Sequence, residues 1–329
     1  MQYDIVALGD LITNYAYKDT DGAGIAEYQR FPAGTTSNML AQAAKLGANV
    51  ALLSAIGNDI DGDYLYEFAR RAGIDVSNLI RRDDLFTRSV FVYYKENHDR
   101  YFSYNGAKRT HFELKPEEID VSIVQKAKTF DFPLNALCTD RPIRKTLQEL
   151  LSAAQEKHVL LAVDANYRGQ YIPPEELAAM REGIRQSNII KMTKEEMAYY
   201  LEEDDLFRAT EKLLNQNAQL VAVTMDESGS FLRSRQGWAY LPTYRVDVLD
   251  TTGAGDSFMG ALLYRLSRIE KQPEALTEKE LTEIADFCNA CASLSTTRRG
   301  SMSVMSSPEE ISGLRVSGVL GTALDIRRI

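Results

Sequence analysis

The run DTTGAGDSFMGALL, from Asp250 to Leu263, sets Gly253, Ala254 and Gly255 directly ahead of an aspartate and an apolar stretch. Glycines at 253 and 255 let the backbone turn tightly and bring its amides close to a bound group. From Asp256 onward the apolar pattern is helical, with Phe258, Ala261, Leu262 and Leu266 recurring. Free N–H groups and the positive end of the helix dipole therefore face the same turn. Such a turn is an anion hole suited to a phosphoryl group. Asp256 itself reads in two ways. It is a helix N-cap, or it is a general base that takes a proton from a hydroxyl attacking the phosphoryl group. Two familiar nucleotide motifs are excluded. No lysine follows Gly260, so this is not a Walker-type loop, and Gly260 comes two positions too late for the dinucleotide fingerprint. The second point disfavours a nicotinamide-dependent dehydrogenase.

Chemistry of this kind needs a frame. YDIVALGD reads as a buried strand, NMLAQAAKLG as a helix closed by glycine, NVALLSAIG as a second strand and YLYEFARRAG as a second helix. That alternation predicts a largely parallel sheet with helices on both faces. The order resumes with VLLAVDANYR, SNIIKMTKEEMAYYL and LVAVTMDESGS, while GWAYLP and RVDVLD read as further strands. Residues 12–33 and 87–106 break the pattern. They are β-branched and aromatic, the second a hairpin through KENHD, and they predict a small β-sheet lid on one α/β domain spanning 1–329. In an open parallel sheet, ligands sit beyond the carboxyl ends of the strands. Polar clusters fall at five such ends: Asp10; Asp164 with Asn166 and Arg168; Thr193 with Glu196; Thr224; and Asp250 onward.

The bulk composition narrows the function classes. Of 329 residues 44% are hydrophobic and 26% charged, the range of a soluble globular protein. An excess of Asp and Glu, 47 against 38 Lys and Arg, argues against a nucleic-acid surface. Three cysteines give no disulfide framework and point to a reducing, cytoplasmic setting. Cys288 and Cys291 lie on a helical face without a second pair or a nearby histidine, so they read as core residues. No stretch has the length of a membrane span.

Taken over nearly the whole chain, DTTGAGDSFMGALL, FPAGTTSNMLAQAAKLG, AIGNDIDGDYL, VDANYR, IIKMTKEEM and VTMDESGSFL together resemble the ribokinase-like carbohydrate kinases of the phosphofructokinase-B type. The resemblance implies an ATP-dependent sugar kinase that phosphorylates a primary hydroxyl, with a fructose-like sugar favoured. It makes Asp256 the catalytic base and Gly253, Ala254 and Gly255 the anion hole. Asp10, Asn14, Gly34, Asn38 and Arg168 fall at substrate positions, and Thr193, Glu196, Thr224, Gly229 and Asn289 at nucleotide positions. Glu196 would organise Mg²⁺ through water. Asp250, Thr252 and Ser301 would hold a monovalent cation such as K⁺. Phosphoryl transfer needs positioning and charge stabilisation more than covalent chemistry, so these parts are sufficient.

Four positions depart from the family pattern. Asn14 stands where Asp is common, Ala33 replaces the first of two glycines, Thr193 replaces Asn, and Asp226 replaces a glycine. Arg100 and Arg168 read either as surface arginines or as partners of an anionic group. FSYNGAK lacks the tyrosine-arginine pair expected for a sugar acid, which tilts the reading toward a neutral sugar. Kinases of ketodeoxygluconate-type acids, ribose or nucleosides are the neighbouring alternatives. A non-catalytic sugar- or nucleotide-binding regulator is the alternative of another class. Exposed lid edges predict a homodimer.

Overall fold

The structure is a computed structural model whose description covers residues 2–94, 100–104, 110–167 and 171–326. Strands and helices are numbered in chain order. At the centre lies β1 (Tyr3–Leu8), buried along its whole length. Its side chains alternate between two separate cores, Val6 and Leu8 into one and Ile5 and Ala7 into the other. A strand apolar at every position is what a sheet covered on both faces requires.

On one side β1 pairs with β4 (Val50–Gly57), which also carries the short β5 (Ile74–Asp75) and β6 (Leu79–Arg82). On the other side follow β9 (Ala127–Asp131), β10 (Leu160–Asp164), β11 (Ile189–Thr193) and β12 (Leu220–Thr224), all parallel. β13 (Ser230–Arg233) and β14 (Trp238–Leu241) finish that edge in antiparallel fashion. One face is covered by α3 (Ile143–Glu156), α4 (Pro174–Gln186), α5 (Lys194–Leu201) and α6 (Leu206–Leu214). The other is covered by α1 (Thr35–Lys45), α2 (Ile60–Arg71), α7 (Ala254–Ser267), α8 (Glu278–Ser295) and α9 (Pro308–Ser317). This is the doubly covered parallel sheet expected from the sequence.

A second sheet of four strands stands apart, in the order β3 (Ala26–Ala33), β2 (Ile12–Thr20), β7 (Ser89–Tyr94), β8 (Arg100–Tyr104). Period-two alternation divides its faces. Ala16, Val90 and Val92 are buried with Ile12 and Phe31 against them. Tyr15 stacks on Phe91 and Tyr17 on Tyr93 from the opposite side. Asp61, at the start of α2, ties this sheet to the core by accepting from Tyr15 Oη at 2.7 Å and Ser89 Oγ at 2.9 Å. The KENHD turn lies outside the described residues.

RVDVLD is not a strand. Tyr244 makes only an isolated bridge to Leu320, and the amides of Leu249 and Asp250 donate to the Thr296 carbonyl at the end of α8. The alternation of valines with aspartate is genuine, but Val248 and Leu249 are exposed and among the described residues no strand lies alongside to pair with them. Cys288 and Cys291 are fully buried free thiols in the core. Burial pushes the Cys291 thiol up to about 12, so neither is poised to react. Among the described residues no helix is long and apolar enough to cross a membrane.

Candidate active site

Because β1, β9, β10, β11 and β12 run parallel, their carboxyl ends share one edge, and α7 points its N-terminus at the same place. The helix begins at Ala254, with Gly253 as N-cap in the left-handed region at φ 80. Among the described residues no side chain caps it. The N-cap reading of Asp256 is therefore corrected: glycine takes the cap because only it adopts that backbone without strain, and Asp256 sits inside the first turn. The Ala254 amide reaches back to the Thr251 carbonyl at 3.3 Å, while first-turn geometry directs the Gly255 amide out of the helix end.

Freed from capping, the Asp256 carboxylate accepts from Asn38 Nδ2 at 2.7 Å, across 218 positions of sequence. Asn38 is buried on α1, and its Oδ1 has no partner among the described residues. Gly34, at φ 128, caps α1, and a Cβ there would lie 2.5 Å from the Asp10 carbonyl oxygen. Asp10 Oδ1 accepts from the Thr36 amide at 3.2 Å, so this carboxylate sits at the positive end of α1. Asp10, Gly34, Asn38 and Asp256 are thus brought together where α1 and α7 cross. Arg168 lies outside the described residues, as do Asn105 and the Arg168 side of the DANYR loop.

A cavity opens between the small sheet and the core. Asn14, Ala16, Phe31 and Val92 line it from the sheet, and Asp250, Thr252, Gly300 and Ser301 from the core. Asp250 Oδ1 accepts from the Thr252 amide at 2.9 Å and its hydroxyl at 2.6 Å. Ser301 Oγ donates to the Pro32 carbonyl at 3.1 Å. The three residues expected at a monovalent-cation site therefore converge, and they offer hard oxygen donors of the kind such a cation takes.

On the nucleotide side, Thr193 and Glu196 form a reciprocal capping box on α5. Glu196 donates its amide to Thr193 Oγ1 at 3.1 Å, and Glu196 Oε2 accepts from the Thr193 amide at 2.7 Å. Oε1 accepts from the Tyr167 amide at 2.6 Å. Burial and the nearby Asp164 raise the Glu196 pKa, against the opposing pull of Lys191 and these amides. Thr224 Oγ1 donates to the Met192 carbonyl, and the Met225 amide bonds the Gly229 carbonyl to close the following turn. Asp226 adopts φ 46 there, so it supplies the left-handed residue for which glycine is usual. Asn289 is buried and committed at both ends, accepting from Ser230 Oγ at 2.8 Å and donating to the Leu241 carbonyl at 2.9 Å.

A model of the pfkB family of carbohydrate kinases matches residues 2–308 of the chain. The protein belongs to that family. It is a carbohydrate kinase. Fructokinase-1 of Oryza sativa subsp. japonica is 28% identical over 322 residues, covering 95% of this chain and 97% of the relative. An ATP-bound fructokinase structure from Xylella fastidiosa superposes with a TM-score of 0.84 at 22% identity, over 95% of this chain and 98% of that one. A sugar kinase from Pyrococcus horikoshii in complex with ATP gives a TM-score of 0.77 at 26% identity, over 94% and 99%.

In this kinase two residues stand in the site that the strand-end reading passed over. Asp131 ends β9 and is buried, its Oδ1 without a partner among the described residues. Lys191, buried in β11, places Nζ 3.0 and 2.9 Å from the two Asp164 oxygens. The signal was present as a lysine inside the apolar run IIKMT and an aspartate inside TFDFP.

Burial, then Asp164 and Asp256, hold the Asp131 carboxyl well above the ordinary carboxylate range. Below its ordinary value of 3.8 both folded and unfolded chains keep this proton, and the group is neutral to stability. As pH rises, only the unfolded chain ionises freely, so folding stability is lost until the folded pKa is passed. Asp131→Asn removes that loss. Urea unfolding is expected to find the variant more stable at pH 7, because it has no proton linkage to lose. The gap narrows toward pH 4. A variant less stable than the parent at pH 7 would show Asp131 ionised and paired.

Proposed function

We propose that this carbohydrate kinase transfers the γ-phosphoryl group of ATP to a primary hydroxyl of a fructose-like sugar. The observation that carries the reading is the hydrogen bond from Asn38 to Asp256 at the mouth of the 253–255 turn. It holds the carboxylate beside the first-turn amides, so that one group is placed to take the hydroxyl proton and the others to stabilise charge on the transferring group. Asp10, Gly34 and Asn38 hold sugar hydroxyls, and Asn14 adds an amide that both donates and accepts.

The protein's groups fit the expected ions. Mg²⁺ keeps several waters and is bound largely through phosphates, so Glu196, whose two oxygens already accept amides, would organise it through water. When bound, the ion neutralises charge on the phosphates. Asp250, Thr252 and Ser301 would hold K⁺ beside the anion hole. Asn289 shapes the adenine wall by locking β13 and β14 to α8 rather than by contacting the base. The four-stranded sheet acts as a lid on a single domain, and its edges β3 and β8 pair with a second copy.

A neutral sugar is supported by the cavity wall, where Asn14, Ala16, Phe31 and Val92 bring no cation. The departures at Ala33 and Asp226 leave the local backbone in order. Ala33 pairs with Ile12 and Asp226 keeps its turn. The test is an ADP-release screen over ketoses, aldoses, sugar acids, nucleosides and sugar phosphates, with and without K⁺. Fructose is expected to lead the acids and nucleosides by about 10²-fold or more in kcat/KM, the discrimination available from a few polar contacts. A sugar acid or nucleoside in the lead overturns the substrate assignment.

A further inference from the structure

Lys191 is a charged residue in the wrong place for a structural one. It lies in the middle of the sheet, on β11, with its β10 neighbour Asp164 directly beside it in register. The residue is only 4% exposed. Both Asp164 oxygens face its ammonium at 3.0 and 2.9 Å, a fixed rather than a roaming partner. A Cβ added at Gly255 would sit 2.9 Å from Lys191 Nζ. The ammonium therefore lies directly against the 253–255 turn. Burial lowers the lysine's pKa, but Asp164, Glu196 and Asp256 outweigh it, so the group stays charged.

A buried ion pair contributes little net stability against an apolar pair of the same volume. Its use must lie elsewhere. Asp164, Glu196 and Asp256 lie close to the ammonium, and a polyphosphate would bring more negative charge to the same place. A fixed cation in a dry site is worth far more to developing charge than one in water.

We propose that Lys191 is an electrostatic residue of phosphoryl transfer, held by Asp164 beneath the 253–255 turn so that its charge stabilises the transferring group. The proposal rests on the reading of that turn as the anion hole.

Three variants separate the possibilities: Lys191→Met, Asp164→Leu combined with Lys191→Met, and Asp256→Asn. Each is measured for thermal midpoint, kcat and KM, with ATP and the best sugar of the screen. Lys191→Met is expected to lose about 10²-fold in kcat, with KM for the sugar within about threefold, as for loss of one oxyanion-hole donor. The double variant removes the whole ion pair, so it regains the parent's thermal midpoint while its kcat stays low. A double variant whose kcat returns to within about threefold of the parent overturns the proposal, because Lys191 would then serve only to neutralise Asp164. So does a folded Lys191→Met enzyme with undiminished kcat. Asp256→Asn is the independent control. If it stays active, the base assignment fails whatever Lys191 shows. If it alone is dead, the base stands and Lys191 does not.

Discussion

Asp256→Asn is expected to fold like the parent and to lose about 10³-fold in kcat, the middle of the range for a positioned general base. The substitution keeps the volume and the planar group, so Asn38 can still donate to an oxygen at 256, and the α1–α7 crossing is preserved. What disappears is the carboxylate that Asn38 holds in the first turn of α7, the proposed proton acceptor. KM for ATP is expected to stay within about threefold, because the amides and Glu196 are untouched and ground-state binding does not use the lost basicity. Steady-state kinetics beside a thermal melt decides it. A variant retaining a third of the parent's kcat would remove Asp256 from the role of base.

The second large effect is on stability. Gly260 sits in the interior of α7, where on an exposed helix alanine would be better by about 1 kcal/mol. Here the sign reverses. A Cβ at 260 would lie 2.4 Å from the Met39 carbonyl and 2.9 Å from Gln42 Cβ, so α7 touches the backbone of α1. A carbonyl within a helix cannot move aside as a side-chain end can. Gly260→Ala is expected to destabilise by about 3 kcal/mol, the upper part of the overpacking range, read as a shift of the urea midpoint at constant m-value. It also pushes apart the helices that carry Asn38 and Asp256, and an error of that order in placement costs about 10²-fold in rate. If Gly260→Ala were instead more stable than the parent, the close approach of the two helices would be refuted.

Much of the frame was legible in the chain itself, since it is written in local patterns. Fully apolar runs such as YDIVAL announce a strand covered on both faces, and glycine-closed helical stretches such as NMLAQAAKLG announce the helices between. The GAGD motif disclosed its tight turn into a helix because consecutive residues make that turn. RVDVLD shows the limit of such reading. Its alternation is that of a strand, but a strand needs a neighbour, and the Thr296 carbonyl took its hydrogen bonds instead.

What the tertiary structure alone decided is which distant residues meet. Asp256 looks like a helix cap until the backbone gives the cap to Gly253 and turns the carboxylate to Asn38. Lys191 and Asp131 show only as odd charges in apolar runs, their use invisible without the strand order that puts β10 between β9 and β11. Periodicity tells a residue which way it faces. The free energy of a buried charge depends on what faces it, and that is set by the packing of elements far apart in the chain.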